Sequence, residues 1–269
     1  MKYIPKILTN EIKERVRLIG ELNHSTRRMK SQRFKEKAIK KNAQIHSYRI
    51  EHPNLRVPFC IPRNSEKKNI KKGIKSIANA FEWGCKNFDS ENFKESFIRE
   101  IAGRITPELY NGKIAEYREK GTSIRGATVT PPYPYKIREI EIPNFVESLK
   151  KQLKCEDVIN KIETAIYAHL HLVRIHPFVD GNGRTSRTLQ DIVLDHYNIP
   201  LPIIEAGERA TYYKILDKAI SDWGDRKGSK RIMHGATEGE QLFYNFMAGK
   251  INISLDRLIT YCNGYDSLI

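Results

Sequence analysis

Residues 176–187 read His-Pro-Phe-Val-Asp-Gly-Asn-Gly-Arg-Thr-Ser-Arg, and several of these residue types, at this spacing, bear on one chemistry. Gly181 and Gly183 reach backbone conformations closed to other residues, so successive N–H groups there can converge on an anion. A helix beginning near Gly183 adds its positive end. Arg184 and Arg187, three apart, point from its first turns toward the same ligand. Asp180 is a hard oxygen ligand of the kind Mg²⁺ uses, one carboxylate or two completed by phosphates. His176 is the nearby side chain whose ordinary pKa allows proton abstraction near neutrality. A lone histidine is commonly a core residue, a lone Gly-x-Gly a turn, and two arginines surface charges. Their concentration in one loop instead describes a nucleotide phosphate, a divalent cation and a general base.

The run resembles the signature of the Fic (filamentation induced by cAMP) family, His-x-Phe-x-Asp/Glu-Gly-Asn-Gly-Arg-x-x-Arg, with every specified position filled. The resemblance implies an all-α, Fic-type helical bundle with one small β-hairpin, the flap. It implies a nucleotidyltransferase, a protein adenylyltransferase (AMPylase) moving AMP from ATP to a Ser, Thr or Tyr hydroxyl of a target protein, itself included. On that likeness His176 is the catalytic base, Asp180 holds Mg²⁺ and Phe178 anchors the loop. Asn182 and the Gly181 and Gly183 amides cradle the α and β phosphates, Arg184 meets the phosphate chain and Arg187 the γ-phosphate. The likeness extends over roughly residues 111–246. It places a flap at Gly126, Ala127, Thr128, Val129 and Thr130, where a target backbone adds as a strand. It also sets Tyr213, in Arg209-x-x-Tyr212-Tyr213, against the adenine. The stretch Ile220–Asp225 is longer than the family's usual turn.

A second pattern lies far upstream. Ser47-Tyr48-Arg49-Ile50-Glu51-His52 resembles the family's inhibitory motif, Ser/Thr-x-x-x-Glu-Gly/Asn, with His52 in place of Gly or Asn. Glu51 paired bidentately with Arg187 would withhold that guanidinium from the γ-phosphate. Two rival readings stand beside autoinhibited transfer. Glu51 instead positions water for the reverse reaction, removal of AMP, or the chain is a basic nucleic-acid-binding module. A metal hydrolase on His169, His171 and His176 fails on spacing, because positions two apart on a helix lie about 200° apart.

Composition narrows the classes further. The 269 residues carry a net charge of +15, much of it in Arg27–Lys41 and in Lys67–Lys75. Such charge suits anionic partners, though solvated helix faces account for it more simply, and no helix-turn-helix or zinc finger accompanies the clusters. No run approaches the roughly 20 apolar residues of a membrane span, and the N-terminus has no signal-peptide core, so a cytoplasmic protein without membrane contact is expected. Cys60, Cys85, Cys155 and Cys262 are too far apart for a local metal or redox pair. Nothing here fixes the oligomeric state; a dimer is one option.

The elements that position the loop follow from periodicity. Ile12, Val16, Ile19 and Leu22 recur at helical spacing, and His52-Pro53 ends the helical N-terminal region. Helices are expected from Ile70 to about Leu109, broken near Trp83-Gly84 and Asp89. Further helices are expected at Phe145–Leu153, across Ile162–Val173, after the loop through Leu189–Val193, at Ala210–Ile220 and at Gly239–Ile259. The turn Asn111-Gly112 and the runs Ile114–Tyr117 and Ile124–Val129 suggest the hairpin. The organisation expected is an inhibitory helical region at 1–60, a helical connector at 61–110 and a catalytic core at 111–269.

Overall fold

A computed structural model describes residues 3–21, 33–52, 64–110, 114–124, 128–228 and 236–263. Helices dominate: α1 (Lys6–Glu21), α2 (Lys41–Glu51, entered through a π-helical turn at Lys35–Lys40), α3 (Asn64–Asn87), α4 (Glu95–Ile105), α5 (Ile142–Gln152), α6 (Val158–Ile175), α7 (Asn182–His196), α8 (Arg209–Gly228) and α9 (Glu238–Cys262). Single turns at Pro107–Tyr110, Pro134–Lys136 and Ala206–Glu208 and a second π-helical segment at Ile137–Glu141 link them.

The centre of the bundle is the pair α6 and α7. Helix α6 is buried nearly all round, and Ile162, Ala165, Ile166, Ala168 and Ile175 have no accessible surface, as expected of a helix wrapped by others. Asp157 starts it by accepting from the Ile159 and Asn160 amides. Around the pair sit α3 and α4 on one side and α1, α8 and α9 on another. Tyr3 and Ile4 are pinned here too, the Glu163 carboxylate accepting from their amides at 2.6 and 3.1 Å.

The expected break at Trp83-Gly84 does not occur: α3 runs through both to Asn87. Gly84 is there for proximity, since a Cβ would overlap the tip of Ile192 on α7. Nor does Ile220–Asp225 form a turn, because α8 continues through it. The hairpin is a further difference. Asn111, Gly112, Gly126 and Ala127 lie outside the described residues, and no strand forms over 114–124 or 128–133. The polar backbone of these segments is bound elsewhere. Ala115 N–H donates to Arg99 O at 3.0 Å, Arg118 N–H to Pro177 O at 2.9 Å, and Thr128 N–H to Asp217 Oδ1 at 2.8 Å.

Candidate active site

The loop from His176 to Gly181 is bounded by two left-handed residues. Pro177 bars His176 from the right-handed helical region, and His176 ends α6 at φ 50°, ψ 56°, its N–H still donating to Leu172 O at 3.1 Å. A non-glycine residue there is strained, and Arg118 holds it: its Nε donates to His176 O at 2.8 Å while Nη1 donates to Lys120 O at 2.9 Å and Nη2 to Pro132 O. At the other end Gly181, φ 77°, opens α7 with no side-chain cap on its first amides. A Cβ at Gly181 would sit 2.9 Å from Thr106 Cγ2, so shape and conformation both require glycine. Between them Phe178 is buried, 5.7 Å from the Tyr117 ring. Asn182 closes the loop by accepting from Phe178 N–H at 2.9 Å and donating to Phe178 O at 2.8 Å. Its side-chain oxygen and nitrogen each bond Phe178, and its backbone amide belongs to the uncapped start of α7.

An uncapped helix start with buried arginines beside it is an anion site, and in this structure the anion is Glu51. Arg187 Nη2 donates to Glu51 Oε1 at 2.7 Å, and Arg184 Nε donates to Glu51 Oε2 at 2.8 Å. The expected bidentate pair with Arg187 alone is therefore replaced by a carboxylate shared between two guanidiniums. Arg184 and Arg187, three apart, present their side chains on one helix face and leave one oxygen for each. Ser47 completes the arrangement, its Oγ accepting from Arg187 Nε at 2.8 Å and its carbonyl from Nη2 at 3.0 Å. Burial disfavours the Arg187 charge, and the Glu51 carboxylate more than restores it. Gly183 gives the carboxylate room, since a Cβ there would overlap Glu51 Oε1. Arg187 Nη1 is buried without a protein partner, about where a further oxygen of a larger anion would be satisfied.

Helix α2 arrives with its C-terminus aimed at this point because Pro53 stops it at Glu51. His52 lays its ring 4.2 Å from that of Tyr48. Two further bonds dock α2: Arg209 Nε donates to Ile50 O at 2.7 Å, and Ala206 N–H to His46 Nδ1 at 3.2 Å. Arg209 also covers the Tyr213 ring at 4.8 Å, so Tyr213 stands beside the clamp, partly buried, whereas Tyr212 is wholly buried and bonded to His169 at 2.9 Å.

The His176 imidazole is pushed down to about 4 by burial, with the Val173 carbonyl opposing; it is neutral at physiological pH and free to accept a proton. Its Nδ1 makes no hydrogen bond of good geometry. Asp180 projects outward, its side chain 60% exposed, one oxygen held by Arg184 Nη2 at 2.8 Å. Among the described residues no cluster of three metal-ligating side chains exists. A single exposed carboxylate beside a phosphate site nevertheless suits Mg²⁺, which takes its remaining ligands from phosphate and water. Thr128 lies on α8 through Asp217, its N–H at 2.8 Å and Oγ1 at 3.1 and 3.0 Å from the carboxylate oxygens. Val129 and Thr130 follow it, and Gly126 and Ala127 are outside the described residues. Arg118 and Asp217 escaped the sequence reading because they belong to no local pattern, and Arg209, quoted only as part of the segment before Tyr213, acts on Ile50 far upstream.

The fold and loop define an all-α protein with an anion site at a helix start. Residues 92–194 match the model of the Fic/DOC family. Among curated proteins it is 36% identical over 149 residues to the protein adenylyltransferase Fic of Nematostella vectensis, covering 55% of this chain and 33% of that one. It is 40% identical over 142 residues to that of Drosophila melanogaster, covering 52% and 26%. The chain thus spans a third or less of the length of these relatives. Among solved structures, a Fic-domain signaling protein of Bacteroides thetaiotaomicron superposes with TM-score 0.72 at 20% identity over 94% of this chain and 97% of that one. Fic-1 of C. elegans does so with 0.69 at 18% over 97% and 74%.

Proposed function

We propose that the protein is an adenylyltransferase that moves AMP from ATP to a hydroxyl of a protein, held in check by its own Glu51. One observation carries the reading: a carboxylate occupies the helix-start anion site, shared by Arg184 at 2.8 Å and Arg187 at 2.7 Å. Those groups are selected for an anion, and a nucleotide's phosphate chain competes for them. The curated relatives bearing the name protein adenylyltransferase support the class of reaction. In the reaction, the target hydroxyl oxygen bonds to the α-phosphorus, the bond to pyrophosphate breaks, and His176 takes the hydroxyl proton. Mg²⁺, held by Asp180, would neutralise the phosphate charge. The first amides of α7 and Arg184 hold the chain, and Arg187, once released, orients its far end so that the α-phosphorus faces the hydroxyl.

Incubation with α-labelled ATP, Mg²⁺ and a cell lysate, for the wild type and Glu51→Gly, tests this. Labelled protein should rise in the variant by an order of magnitude or more, since a charge-assisted pair is worth about 1.5 to 3 kcal/mol. Absence of label with either form overturns the reading. A second reading, removal of AMP from a modified protein, is favoured by the nearness of Glu51 to His176, whose pKa it raises. In that case Glu51→Gly abolishes release of AMP from a labelled protein.

A further inference from the structure

The basic run Lys67–Lys75 plays no part in the site above, and the structure shows how it is displayed. Lys68, Lys71, Lys72 and Lys75 are exposed on the N-terminal half of α3. At 100° per residue their side chains fall within an arc of about 100°. None of them forms an ion pair with a described residue. The opposite face of the helix is committed to the interior: Ile77, Ala80 and Phe81 are buried, and Gly73 lies so close to Tyr48 of α2 that a Cβ would overlap the ring. The helix cannot roll, and the four lysines, unpaired with any described residue, stay on one outward face.

We infer that this face of α3 is a docking surface for the phosphate backbone of a double-stranded nucleic acid. The four lysines span about 10 Å at 1.5 Å per residue. Over that length duplex DNA carries about six phosphate charges, one per about 1.7 Å of axis. Other anionic partners fit less well. A membrane-binding helix needs exposed apolar residues to enter the acyl boundary, and between Lys68 and Lys75 the exposed residues are lysines and Asn69. Protein interfaces are depleted in lysine at their core. Single strands are held by aromatic platforms, and this face has none. Compact, hydrated point charges without base-reading donors suit sequence-independent contact with phosphates.

The test is a gel shift of the full chain on a mixed-sequence duplex over a range of salt, with no dependence on AMP transfer. The variant Lys68→Gln, Lys71→Gln, Lys72→Gln, Lys75→Gln is compared with a control of equal charge, Lys94→Gln, Lys120→Gln, Lys154→Gln, Lys214→Gln, also exposed. Wild type and control should bind, with affinity falling steeply as salt rises. The α3 variant should lose about 3 to 4 from the slope of log affinity against log salt, near 0.9 per phosphate released. Far-ultraviolet melting should leave all three folded. An unchanged slope in the α3 variant, equal losses in both variants, or binding of phosphatidylserine vesicles with no binding of duplex overturns the proposal.

Discussion

Glu51 neutralises two buried guanidiniums at once, and its removal therefore has two consequences that separate experimentally. Transfer should rise as argued above, because Arg187 is freed. The fold should also weaken, because Arg187 is left buried with no carboxylate and Arg184 keeps only the exposed Asp180, a loss of a few kcal/mol by comparison with other broken buried pairs. Phosphate returns the missing charge. The melting temperature of Glu51→Gly should lie below wild type in buffer and be raised by Mg²⁺-ATP more than that of wild type; equal shifts would mean the nucleotide does not use these arginines. His176→Ala behaves in the opposite way. It should lose about 10² to 10⁴ in transfer rate while ATP affinity, measured by calorimetry, stays the same, since a base contributes to the transition state and little to ground-state binding.

At the scale of elements, two glycines on α9 predict opposite outcomes from one substitution. A Cβ at Gly239 would lie 2.6 Å from Lys218 O and 2.7 Å from Ala219 Cα, backbone atoms of α8 that have nowhere to go. Gly239→Ala should cost about 1 to 3 kcal/mol by forcing α8 and α9 apart. Gly249 meets nothing within 4 Å. There alanine removes freedom from the unfolded chain and should stabilise by about 0.4 to 1 kcal/mol. Urea titration of both variants reads the two signs side by side. Because α8 also carries Arg209 and Asp217, which hold the end of α2 and Thr128, Gly239→Ala should in addition raise basal transfer.

Across the whole molecule, buried ionisable groups set the pH range of stability. Burial drives His169 down to about 3 and His176 to about 4, below the ordinary 6.5, so the unfolded chain binds protons that the folded chain refuses. Their contribution is complete above pH 6.5 and is lost as pH falls. Asp191 runs the other way, raised by burial to about 8 from 3.8, so its contribution is complete below 3.8 and is lost as pH rises to 8. Melting temperature should peak near pH 6.5, and Asp191→Asn should remove the decline between 6.5 and 8. What the sequence displayed was short-range: the loop at 176–187, the stop that Pro53 imposes on α2, the apolar stripes of the helices. What it hid depends on distant partners. Gly84 reads as a breaker until Ile192 is seen beside it, the hairpin pattern loses its backbone groups to Arg99, Pro177 and Asp217, and Arg118 looks like any surface arginine. That last residue reaches the carbonyls of Lys120, Pro132 and His176 with one planar fork. The segment expected to receive a target and the peptide that carries the base are thus lashed to the same rigid plate. A target that tugs the first must turn the second, so arrival and aim become a single event. Arg118→Lys, keeping the charge but not the fork, should sever them, lowering the maximal transfer rate while ATP affinity stays unchanged.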